Sequence, residues 1–137
     1  MHSRRSLLVC ASMVMAAFLA VAVHAAATAE GFTARYSLGV PAASGEDVQI
    51  TISLAVSNNN SFDVNNASIV LHDPRAARVT YGSLNGLALP AGHATQVSGS
   101  FKVPRGLYDS WQKGSSPAMS VSFTDADGKP VQMFIEF

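Results

Sequence analysis

The stretch Val48-Gln-Ile-Thr-Ile-Ser-Leu-Ala-Val56 decides the fold, because every even position is apolar and every odd position is small or polar. A side-chain period of two places Val48, Ile50, Ile52, Leu54 and Val56 on one face of a β-strand, whereas a helix would scatter them around its circumference. Burying five such side chains at roughly 1.5 to 3 kcal/mol each makes this strand a large part of the core energy. The same alternation returns at residues 95–103, with Val97, Gly99, Phe101 and Val103 on one face, and at 118–124, with Met119, Val121 and Phe123 inward. It closes the chain at 131–137, through Val131, Met133, Ile135 and Phe137.

Working outward, residues 32–40 alternate with Tyr36, Leu38 and Val40 on one face, and 41–47 read as a loop. Residues 57–61, with Asp63, Asn65 and Asn66, form a run of turn residues, and a short strand follows over 67–72. Residues 78–81 and 87–89 are short strand pieces on either side of a predicted turn at 82–86. Asp125-Ala-Asp-Gly-Lys129 joins the last two strands as a hairpin loop. One helix-like piece is present, at 106–113, with Leu107 and Trp111 four residues apart. Seven or eight short strands separated by turns, with no helix long enough to cover a sheet, predict an all-β domain. Two antiparallel sheets face to face, an immunoglobulin-like sandwich, are the simplest way to bury these stripes.

The first 29 residues read as a secretory signal peptide preceding a single domain over 30–137. His2, Arg4 and Arg5 form a basic start, residues 7–23 an apolar run, and 24–29 a small-residue stretch with cleavage points after Ala25, Ala27 or Ala29. Cleavage leaves no stable membrane span and places the mature chain in the periplasm or outside the cell. Ser3-Arg-Arg-Ser-Leu-Leu8 is compatible with twin-arginine as well as ordinary export. Leu7-Leu-Val-Cys10 is a loose lipoprotein box, but Cys10 precedes most of the apolar run that it should follow.

Cys10 is the chain's single cysteine, so residues 30–137 carry no disulfide. They hold seven Lys or Arg against nine Asp or Glu, a net charge of −2. That balance, with no basic cluster, argues against nucleic acid and anionic membranes as partners.

Two stretches resemble bacterial extracytoplasmic immunoglobulin-like modules. Val56-Ser-Asn-Asn-Asn60 followed by Asn65-Asn-Ala-Ser-Ile-Val-Leu-His-Asp73 is similar to their valine, asparagine, loop and strand pattern. Leu89-Pro-Ala-Gly92 leading to Gly99-Ser-Phe-Lys-Val-Pro104 is similar to their later proline, glycine and strand pattern. The resemblance implies adhesion, assembly or protein binding, or a spacer role beside a catalytic domain; the expected partner is another envelope or secreted protein. The disulfide and buried-tryptophan arrangement of antibody domains is not part of it.

The candidate chemistry is sparse. Tyr108, Trp111 and Leu107 on the helix-like piece are the candidate partner contact, set against a reading in which the piece plugs one end of the sandwich with Leu107 and Trp111 in the core. His72, His93 and Met119, with Met133, offer soft ligands for copper in an exported carrier, although no two are near enough in sequence to form a local motif. Asp125-Ala-Asp-Gly128 is a fragment of a calcium loop followed by Lys129-Pro130 in place of further oxygen ligands, which favours a plain hairpin. No serine lies in a Gly-x-Ser-x-Gly turn and no histidine has a catalytic signature, so the reading is non-enzymatic and without a cofactor. Asn59-Asn-Ser61 and Asn66-Ala-Ser68 match glycosylation acceptors. The alternation up to the terminal Phe137 also resembles the last strand of a small outer-membrane barrel, but the strands are short for that and lack aromatic girdles. A related expectation is that the 131–137 edge or the 32–40 edge pairs with a partner's strand.

Overall fold

The computed structural model describes residues 30–137; the expected signal peptide and Cys10 lie outside the described residues. Eight strands and one short helix follow one another as β1 (Phe32–Leu38), β2 (Ala42–Ser44), β3 (Asp47–Asn58), β4 (Val64–Asp73), β5 (Ala76–Leu89), β6 (Ala94–Pro104), α1 (Arg105–Gln112), β7 (Ala118–Thr124) and β8 (Pro130–Glu136). The domain is all-β. No helix among the described residues is long and apolar enough to cross a membrane.

β3 is the centre of one half of the molecule, with β6 antiparallel along one side and β1, continued by β2, along the other. β7 is the centre of the other half, between β4 and β8, with β5 added outside β4. The halves join where β1 meets β8 at Phe32↔Ile135 and Thr33↔Glu136, and that pair runs parallel. The expected antiparallel arrangement is therefore corrected to a mixed eight-stranded sheet that curls on itself. The reason is geometric: the chain enters beside the strand with which it ends, and both point the same way.

Curling encloses a single apolar cluster. Val48, Ile50, Ile52, Leu54 and Val56 of β3 are each no more than 2% exposed, and they face Ile69 and Leu71 of β4, Phe101 and Val103 of β6, and Met119 and Val121 of β7. An apolar interior is the reverse of the polar lumen of a membrane channel barrel.

The least expected element is β5. Its glycines at 82 and 86 read as a turn, yet the 14 residues form one strand. β4 and β5 slip register four times along their length. Gly82 (φ 131°), Gly86 (φ 67°) and Asn66 (φ 52°) each lie within one of these slips, where an extra residue is left out of the ladder. Glycine here makes β-bulges instead of reversing the chain. Asn65 and Asn66 accordingly belong to β4 and not to the loop before it.

Each of the two expected partner edges is partly taken. β8 pairs with β7 along its length and with β1 near its end, while β1 is covered by β3. The edges that face each other across the open seam are β5 and β6. Among the described pairings they share no ladder, and Leu84 of β5 fills the space a Cβ at Gly99 of β6 would need. Val40 does not continue the β1 face. The strand stops at Leu38, and Val40 stands 93% exposed before Pro41.

Candidate functional site

At one end of the domain the loop of residues 59–63 is held by its own asparagines. Asn58 is buried; its Nδ2 donates to the carbonyls of Phe62 (3.0 Å) and Leu89 (2.8 Å), and its Oδ1 accepts the Asn60 N–H (3.0 Å). Asn60 Oδ1 accepts the Gly31 N–H at 3.0 Å, and Asp63 Oδ1 accepts the Ala91 N–H at 2.8 Å. The short amide side chains satisfy backbone groups that the turn leaves free, which is why this run is so rich in asparagine. With its backbone pinned, the loop turns Phe62 outward, 42% exposed.

Beside it, the hairpin of residues 125–129 is built as its sequence predicts. Asp125 Oδ1 accepts the N–H groups of Asp127 and Lys129, both at 2.9 Å, and Gly128 takes a φ of 79°. Asp125 thus serves the turn.

Between the two loops lies a groove of about 640 Å³. Its floor is apolar, made by Phe62, Val64, Phe123, Val131 and Met133, and its rim carries Asp63, Asp125 and Asp127 with no Lys or Arg among the lining residues. The Phe62 ring lies 6.0 Å from Phe123, which meets Phe32 edge-on at 6.3 Å. An aromatic column therefore runs from the core to the surface. Among the described residues the ion pairs are Arg75–Asp73 and Lys102–Asp47, so none neutralises this rim.

The opposite end is closed by α1. Trp111 is 5% exposed and belongs to the core, with Leu107 and Tyr108 half-buried against it. Of the three candidate contact residues, the structure thus turns Trp111 inward and leaves only parts of Leu107 and Tyr108 at the surface. Nearby, Asp73 joins the 74–75 turn to β5: its Oδ1 accepts the Arg75 N–H at 2.8 Å and its Oδ2 accepts the Tyr81 hydroxyl at 2.7 Å. The Tyr81 hydrogen bond, aided by the Arg75 N–H, holds the Asp73 carboxyl below the usual carboxylate range, and the same bond raises the Tyr81 phenol.

The candidate copper ligands are not brought together. His72 closes β4 near α1, whereas His93 sits in the 90–93 turn beside Asn58. Leu89 of that end pairs with Val64, eight residues from His72, roughly 25 Å along the strand. Met119 is fully buried and pairs with Leu71, so it faces the core while the neighbouring His72 faces the other side of the sheet. No group of three or more His, Cys, Asp or Glu among the described residues is placed to hold a metal ion.

His72 has partners that the sequence reading did not foresee. Its Nδ1 lies 2.7 Å from the Ala77 carbonyl, an acceptor, which assigns the proton to Nδ1 and leaves Nε2 to accept the Ser120 hydroxyl at 2.7 Å. Gln132 Nε2 donates to the same Ser120 oxygen at 3.0 Å, and the Phe134 ring lies 5.1 Å from the imidazole. Serine, histidine and an orienting carbonyl are the parts of an activated nucleophile. Here, however, Ser120 has no exposed surface, and the set is a satisfied buried network in which each polar group finds a partner. The available signal was the register opposite the core: Ser120 and Gln132 both sit between inward residues of β7 and β8. For Phe62 the signal was an aromatic inside a run of turn formers, where it has no turn role.

No family model matches the chain, and no curated protein matches it. Among solved structures, Northeast Structural Genomics Consortium target SoR45 is similar at 9% identity and a TM-score of 0.41, covering 77% of this chain and 81% of the other. A protein from Archaeoglobus fulgidus is similar at 12% identity and a TM-score of 0.37, covering 74% and 90%.

Proposed function

We propose that this chain is an exported, non-catalytic immunoglobulin-like module that binds another protein through the end formed by the 59–63 and 125–129 loops. The pairing order supports the immunoglobulin-like assignment: β1, β3 and β6 occupy the places of strands A, B and E, and β4, β7 and β8 those of C, F and G. β5 beside β4 then corresponds to the extra strand of variable-type domains. Export rests on the amino-terminal pattern of basic start, apolar run and small residues.

The observation that carries the binding reading is Phe62. A large aromatic, 42% exposed on a loop pinned from beneath and backed by Phe123, is a rigid anchor of the kind that dominates protein interfaces. The test is site-specific photocrosslinking in the full chain expressed in its own host, with a photoreactive phenylalanine at position 62 and, separately, at position 108. A discrete crosslinked protein from position 62 is expected. Crosslinks from position 108 alone would move the surface to the α1 end, and none from either would remove the binding reading.

A further inference from the structure

We infer that the partner segment seated in the groove between the 59–63 and 125–129 loops is a cationic, extended peptide, with an arginine or lysine at the aspartate rim and apolar side chains on the floor. The inference rests on the protein-binding reading above and adds the chemistry of the partner.

Charge and shape together carry it. The chain as a whole from residue 30 onward is close to neutral, at −2, but the groove rim holds Asp63, Asp125 and Asp127 with no cation lining it. Among the described residues Asp63 Oδ1 accepts one backbone N–H and Asp125 Oδ1 two, while Oδ2 of both and the whole Asp127 carboxylate have no partner and can meet a donor. Lys129 lies in the same hairpin but does not line the groove. A guanidinium or ammonium placed there gains the carboxylates and the Phe62 and Phe123 rings at once. An anionic or purely apolar occupant would leave three carboxylates desolvated without counter-charge. The same argument disfavours an anionic lipid surface. A volume of about 640 Å³ holds a few side chains of an extended segment and no folded element. Because Asn58 and Asp125 fix both loops by hydrogen bonds, little ordering is lost when a peptide docks.

The test uses two nonapeptides, one alternating leucine with arginine and one alternating leucine with glutamate, titrated into the isotopically labelled processed protein and read by amide chemical shifts. The arginine peptide is expected to shift residues 62–65 and 123–127 and to weaken on the order of three- to tenfold as salt rises from about 50 to 200 mM. Asp127→Lys is expected to weaken it by a similar factor, and its side chain makes no hydrogen bond that the fold needs. Phe62→Ser, read for folding by its thermal midpoint, is a second variant that tests the floor. Equal binding of the glutamate peptide, shifts centred on residues 107–113, spermine binding as tightly as the arginine peptide, or no shift at millimolar peptide would each overturn the inference. The two readings fail separately. A position-62 crosslink that persists undiminished in Asp127→Lys and at high salt keeps the binding module and removes the cationic partner.

Discussion

The two ends of this domain each carry a large aromatic and do opposite things with it. At the α1 end, Trp111 is driven into the core and the last turn of the helix seals it; at the other end, Phe62 is pushed out on a loop whose backbone is already satisfied. What differs is the source of the hydrogen bonds. A helix supplies its own backbone pairs, so α1 is free to lay an apolar face over the open core. A loop of asparagines uses its side chains to pair the backbone, and the aromatic in its midst stands half-exposed over Phe123. The closed end is a matter of stability, while the open end is where recognition is expected.

Four measurements sharpen or break that contrast. Trp111→Ala should cost about 3 to 5 kcal/mol in denaturant unfolding, because it removes a buried aromatic from the core. A loss below about 1 kcal/mol would mean that α1 is a surface element and that the two ends are alike. Asn58→Ala should cost about 2 to 3 kcal/mol by stranding the Leu89 and Phe62 carbonyls and the Asn60 N–H, and hydrogen exchange should quicken over residues 59–63. Phe62→Ala, by contrast, should change stability by less than about 1 kcal/mol while lowering partner affinity about tenfold. An equal loss of stability in Phe62→Ala and Trp111→Ala would erase the distinction between anchor and plug.

The smallest effect concerns pH at the closed end. The lowered Asp73 carboxyl contributes stability that is present above its unfolded value, about 3.9, and is lost as pH falls through the folded value below it. The raised Tyr81 phenol contributes stability present below its unfolded value, about 10, and lost as pH rises through the folded value above it. Unfolding free energies should therefore fall at both extremes, and Tyr81→Phe should flatten both slopes. Unchanged slopes would detach the Asp73–Tyr81 bond from stability.

Much of this was legible without coordinates, for reasons that vary by element. The β3 face was readable because alternation over nine residues has one structural solution, and the 125–129 hairpin because Asp and Gly have specific turn chemistry. β5 was not, since a glycine at positive φ serves a bulge as well as a turn, and only the pairing with β4 distinguishes them. The fate of the α1 side chains was open for a similar reason. Leu107, Tyr108 and Trp111 form a stripe that suits a partner or a core equally, and their fate depends on what lies beneath α1.

By itself, then, the sequence determined which residues alternate, the 125–129 turn, the helical piece at 106–113 and the near-neutral charge, because these depend on neighbours within a few positions. The tertiary structure alone decided the parallel join of β1 to β8, the bond from His72 to Ser120 across 48 residues and the exposure of Phe62. It also gathered Asp63 and Asp127 onto one rim. Each of those depends on which distant segments the curled sheet brings together, and residue order does not encode such contacts locally.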